Sequence, residues 1–224
     1  MEILINNCVE DASICFLGIG DHLSDRSPLQ VGQFESGTVE LDKWLTNIYL
    51  EGCGGGQAKE SYQLAWLFGA RHTSTDSFEK RGIKGFIFTI GDEFVHPTLE
   101  ADFLRDYMGY KEASDVSTDD LLEEARKTYN VFHIHCNNGS YPSNRSDVAD
   151  NWKKLIGSEN LIIAEDSDTI AEIISSTVAM INGADMKELM KHMDTKTANS
   201  VSNALSTIPK GDITNYSKTG VITL

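Results

Sequence analysis

Gly85-Phe86-Ile87-Phe88-Thr89-Ile90-Gly91-Asp92-Glu93 is an apolar run that stops at a glycine and presents two carboxylates, and Ile14-Cys15-Phe16-Leu17-Gly18-Ile19-Gly20-Asp21 ends in nearly the same phrase. Each reads as a parallel strand buried on both faces, and open α/β sheets bind ligands beyond the carboxyl ends of such strands. The two runs therefore predict a ligand-facing rim. Between them, Glu51-Gly52-Cys53-Gly54-Gly55-Gly56-Gln57-Ala58-Lys59-Glu60-Ser61-Tyr62 reads as a glycine loop opening a helix, which adds a helix N-terminus to that rim.

Working outward, Leu41, Trp44, Leu45, Ile48 and Tyr49 recur at helical spacing and predict a helix over about 39–51. A broadly apolar helix is expected over 60–72, and acidic, aromatic helices over about 98–109 and 118–128. Val131 to Cys136 reads as a third parallel strand and Asn160 to Ala164 as a fourth, with Trp152 to Ile156 in the helix between them. Asp168 is expected to cap a helix that carries Ile170, Ile173, Ile174, Val178 and Ile181 on one face and stops at Gly183. Strands alternating with helices define an α/β fold, a doubly wound and mainly parallel sheet of Rossmann-like type. The expected division is an α/β domain over 1–183, then a helix and polar tail over 184–224, whose last residues Val221 to Leu224 can add a strand.

The chain has 224 residues, 40% of them hydrophobic, enough for one core without a second domain. A formal charge of −15 disfavours nucleic acid and anionic membranes, both of which require a cationic face, and favours cationic partners or a bound metal. No run approaches the roughly 18 apolar residues of a membrane span, and the amino terminus lacks the pattern of a signal peptide, so a cytoplasmic location is expected. Cys8, Cys15, Cys53 and Cys136 show no Cys-x-x-Cys spacing and read as reduced structural thiols.

Asp21, Asp25, Glu60, Asp92 and Glu93 are the candidate rim, and the first four are a candidate oxygen-donor set for magnesium, with Asp92 foremost. The bland alternative for each is a helix cap or a solvated carboxylate. Gly54, Gly55, Gly56 and Gln57 lack the Gly-Lys-Ser/Thr ending of a phosphate loop and read as permissive turn and partner-facing residues. His133 and His135 alternate with apolar neighbours, which places them on one sheet face beneath a helix as core histidines. Ser61 beside Glu60, and His72 near Asp76, offer pieces of a hydrolase triad without a Gly-x-Ser-x-Gly elbow.

On the glycine loop, Phe16 to Asp21, Pro28-Leu29-Gln30, Gln33-Phe34-Glu35, Leu50-Glu51-Gly52, Glu60-Ser61-Tyr62 and Lys84 to Glu93, the chain resembles the von Willebrand factor A family, in a bacterial or phage-type branch. The resemblance implies a doubly wound sheet and a metal-ion-dependent adhesion site, in which Asp92 takes the place of the aspartate after the fourth strand. The family's threonine position falls within Gly54 to Gln57, where no hydroxyl occurs, and no Asp-x-Ser-x-Ser is present, so the implied site is degenerate. Met1 to Val9 resembles the end of the family's first helix. The family's central strand is then expected to be missing, as in a truncated reading frame, a fragment that pairs with another polypeptide, or a remodelled descendant. Open strand edges would leave buried backbone groups unpaired, so the gap is expected to close, either by direct pairing of the strands ending at Asp21 and Asp92 or, as favoured because direct pairing requires the helices to repack, by insertion of 2–6, of 221–224 or of a strand from a second chain.

The expected function is a non-enzymatic protein-interaction module with weak or absent magnesium binding, able to oligomerise. Its partner is a protein, and the resemblance implies an AAA-type ATPase among the candidates. Two alternatives stand beside it: a metal-dependent phosphohydrolase using Asp21, Asp25 and Asp92 with assistance from His22, and a structural assembly component.

Overall fold

The computed structural model describes residues 12–52, 58–138, 145–206 and 208. In chain order the elements are β1 (Leu17–Ile19), β2 (Leu29–Val31), α1 (Thr38–Thr46), β3 (Lys59–Glu60), α2 (Gln63–His72), α3 (Asp76–Arg81), β4 (Gly85–Gly91), β5 (Phe94–Val95), β6 (Thr98–Leu99), α4 (Ala101–Asp106), β7 (Val116–Ser117), α5 (Thr118–Thr128), β8 (Tyr129–Cys136), α6 (Arg145–Ile156), β9 (Leu161–Ala164), α7 (Ile170–Ile181), α8 (Met186–Met190) and α9 (Thr195–Ser206). The protein is mixed α/β with parallel strand pairing. It divides into two compact units: a parallel-sheet unit from Ser74–Asp92 and the described residues beyond Thr128, and a hairpin unit from Ser13–Thr73 and Glu93–Lys127. No helix among the described residues is long and apolar enough to cross a membrane.

In the parallel-sheet unit the strand order is β4-β8-β9, all parallel, with Gly85 opposite Tyr129 and His133 opposite Leu161. β8 is central and buried at every position but Cys136, as a strand covered on both faces must be. β4 is half-buried along most of its length. Gly85 is required where it stands, since a Cβ there would sit 2.7 Å from the Tyr129 ring. Phe132 and Ile134 of β8 and Ile162 and Ala164 of β9 pack with Ile173 and Ile181 of α7 and Val201 and Ala204 of α9. The C-terminal helix α9 thus shares one core with the sheet.

Asp166, and not the expected Asp168, caps the turn that leads into α7, its carboxylate accepting the Asp168 N–H at 3.0 Å. At the other end of α7, Gly183 has φ +88° and Ala184 N–H reaches Ala179 C=O at 2.9 Å, a left-handed closure that satisfies carbonyls the helix leaves open.

In the hairpin unit the expectation of a buried parallel strand ending at Asp21 is corrected. β1 is half-buried and pairs antiparallel with β2, Leu17 opposite Val31 and Ile19 opposite Leu29, and an Ile14–Glu35 bridge extends the ladder. The physical reason is the connection: a parallel partner needs a crossover of about a dozen residues or more, whereas this chain turns directly back onto itself at Asp21 and returns at Pro28. β4, the other strand expected to border the gap, pairs in parallel with β8. The segments 2–6 and 221–224 lie outside the described residues, as do Gly54, Gly55, Gly56 and Gln57.

β3 pairs in parallel with β5, and β6 antiparallel with β7. The helix expected over 98–109 begins only at Ala101, because Thr98 and Leu99 are taken up in β6. α2 buries Gln63, Leu64, Ala65, Trp66, Leu67 and Gly69, as its broad apolar pattern predicts.

Candidate metal centre

The site is built where β1 ends. Gly20 N–H bonds Pro28 C=O at 3.0 Å, and the chain then folds tightly around Asp21, whose C=O accepts from Asp25 N–H at 2.8 Å. The Asp21 carboxylate accepts the Leu23 N–H at 2.9 Å and the Ser24 hydroxyl at 3.1 Å, while Asp25 Oδ2 accepts the Asp21 N–H at 2.8 Å. Such side chain to backbone bonds are what aspartate and serine contribute to turns. A Cβ on residue 20 would lie 2.4 Å from Asp25 Oδ2, so the glycine before Asp21 is what lets the loop close. Asp21 itself is 2% exposed.

Two backbone bonds bring the other parts to this loop: Ser61 N–H donates to Gly20 C=O at 3.3 Å, and His96 N–H donates to Glu60 C=O at 3.3 Å. The short β3–β5 pairing thus carries residue 96 beside residue 21. The His96 carbonyl is fixed by Gln63 Nε2 at 3.2 Å and by the Thr118 hydroxyl. Its ring is nearly inaccessible, and Nε2 lies 2.8 Å from Asp21 Oδ1. That contact is off the line an N–H would need, so the buried Nε2 has no hydrogen-bond partner. Burial pushes the His96 ring below the usual imidazole range, against the pull of the Asp21 carboxylate, and so favours the neutral ring.

His22 follows Asp21 and turns inward, its side chain 1% exposed. Ser61 Oγ accepts the His22 main-chain N–H at 2.9 Å and lies 2.6 Å from its Nδ1, while Nε2 lies 2.7 Å from Glu100 Oε2. The ring is thus held between the serine hydroxyl and the Glu100 carboxylate. The His22 ring meets His96 edge-on at 4.9 Å and Phe103 at 5.0 Å. Asp21, His22 and His96 each bring one ligand atom to a group within 4.8 Å of one another.

Ser61, His22 and Glu100 have the atom types of a nucleophile relay. The serine, however, is wholly buried and its oxygen is engaged by the backbone, so it cannot present itself to a substrate as a triad nucleophile must. Its role here is to orient a ring.

Of the expected rim, Asp21 and Asp25 are joined directly, and Glu60 enters through its backbone. Glu93 is half-buried in the hairpin unit. Asp92 follows β4 in the parallel-sheet unit, where its charge adds to burial in raising the Cys136 thiol. His133 stacks on Trp152 of α6 at 3.5 Å, the covered position expected of it. His72 bonds Tyr110, and Asp76 bonds Lys80. Sequence reasoning missed His96 and Glu100, which are remote in the chain from Asp21 and share no spacing signal with it. The one available hint was that His96 follows a strand-end Asp-Glu pair.

No family model, curated protein or solved structure matches this chain.

Proposed function

We propose that the chain is a non-enzymatic protein-interaction module similar to a von Willebrand factor A domain, doubly wound and acting in the cytoplasm. The observation that carries this reading is the pair of carboxylates, Asp92 and Glu93, directly after β4. It is supported by the parallel order β4-β8-β9 with helices between the strands. The hollows at Ala149–Ile163 and beside Trp44, about 210 and 160 Å³, are small against the roughly 300–1,000 Å³ of small-molecule sites.

The partner is a protein, and an AAA-type ATPase is the class that the family likeness favours. By the same likeness Asp92 holds magnesium only weakly, in the millimolar range, with an acidic partner side chain completing the sphere. A photo-crosslinker at Glu93 tests the docking. The expected product is a discrete heterologous crosslink weakened by Asp92→Lys. Crosslinking indifferent to that substitution refutes the rim. Metal-dependent turnover of phosphomonoesters lost on Asp21→Asn would replace the module with the phosphohydrolase alternative.

A further inference from the structure

The hairpin unit holds a feature that the docking reading does not use, namely a buried imidazole nitrogen with no hydrogen-bond partner, set against a buried carboxylate. His96 Nε2 and Asp21 Oδ1 are 2.8 Å apart without hydrogen-bond alignment, in surroundings where both residues are at most 3% exposed. Leaving a buried polar atom unsatisfied is costly. A cation bound by both atoms gives the nitrogen a partner and neutralises the buried carboxylate.

We propose that Asp21, His22 and His96 form a binding site for a divalent transition metal of the zinc class. The ligand atoms are Asp21 Oδ1, His22 Nδ1 and His96 Nε2. Two imidazoles with one carboxylate are the donors that select zinc-like ions, whereas magnesium takes oxygen ligands and keeps its waters. Three protein ligands leave a fourth position for water or for a partner's side chain.

The two distances to Asp21 Oδ1 fit with small movements, and all the ligand atoms lie within 4.8 Å of one another. Bonds of 2.0–2.1 Å in a tetrahedron put ligand atoms about 3.3 Å apart. The His96–Asp21 distance of 2.8 Å then opens by roughly half an ångström, and the His22 Nδ1–Asp21 Oδ1 distance of 3.9 Å closes by as much.

His22 is already held as a metal ligand is held. Its Nε2 lies 2.7 Å from Glu100 Oε2, the carboxylate–histidine arrangement that orients the ring at metal centres. Ser61 Oγ lies 2.6 Å from Nδ1, and rotation of the serine side chain about Cα–Cβ frees that nitrogen. Asp25 and Ser24 hold the Asp21 loop from the far side, with Ser24 Oγ on Oδ2, so Oδ1 is the oxygen turned toward the histidines.

The test is titration of the full chain, stripped with chelator, with zinc, cobalt and magnesium salts, read by calorimetry and by competition with a chromophoric chelator. One zinc per chain is expected at micromolar affinity or tighter, with the intense visible absorption of tetrahedral cobalt on substitution and no competition from millimolar magnesium. His96→Gln should weaken zinc by at least about 100-fold and Glu100→Gln by about 10- to 100-fold, while His72→Gln and Asp92→Ala leave it unchanged. Glu100 is half exposed, so its variant tests the site even if those at Asp21 or His96 fail to fold. Zinc affinity indifferent to both His96→Gln and Glu100→Gln, absence of zinc binding, or magnesium binding as tightly as zinc would each overturn the proposal. The docking reading stands or falls separately, on crosslinks from Glu93.

Discussion

Replacing His133 by glutamine should flatten the loss of stability on the acid side of neutrality. The wild-type ring is wholly buried at the centre of β8, 3.5 Å above Trp152 and within 7° of parallel to it. The Thr89 hydroxyl donates to Phe132 C=O at 3.3 Å, so its oxygen accepts from His133 Nδ1–H at 2.9 Å and the ring is neutral. Burial, reinforced by the neighbouring His135, holds the imidazole well below its ordinary value of 6.5. The unfolded chain takes up a proton near pH 6.5 that the folded chain refuses, so below that pH each unit of acidification costs about 1.4 kcal/mol. Above it the group contributes no pH dependence. The loss continues as pH falls until the folded-state value is reached.

Urea denaturation followed by tryptophan fluorescence from pH 7.5 to 5 measures this. His133→Gln removes the titration, at a baseline cost of roughly 1–3 kcal/mol for the lost stack. Carboxylate titrations are common to both proteins and cancel in the difference. The stability gap should therefore narrow as pH falls below 6.5, at a slope approaching about 1.4 kcal/mol per pH unit. Parallel curves across that range would falsify the placement of a neutral, fully desolvated ring at residue 133.

Two further outcomes probe the fold. Ile134→Ala empties a wholly buried position of the sheet core and should cost about 2–5 kcal/mol, seen as a lower urea midpoint with unchanged slope. Gly82 closes α3 at φ +68° with open space around its missing Cβ, so Gly82→Ala should cost only the roughly 1–2 kcal/mol of left-handed strain, and asparagine less, by thermal unfolding.

The parts whose signals are local were legible from the residues alone. Leu161 to Ala164 is a continuous apolar run, Val131 to Cys136 is apolar between its two histidines, and Ile173, Val178 and Ile181 repeat at helical spacing, so β8, β9 and α7 could be read directly. Asp21 was legible as a candidate because a glycine and a carboxylate close its strand. What that strand pairs with, and what meets Asp21, is seen first in the folded chain. The antiparallel partner of β1 follows from a turn too short for a crossover, and apolar content alone does not carry strand direction. His96 and Glu100 reach Asp21 and His22 through backbone bonds at Gly20, Glu60 and Ser61, contacts between segments far apart in the chain. Periodicity reports which face a residue occupies, whereas a site of this kind depends on which distant segments pack together, and that is settled only when the chain closes its core.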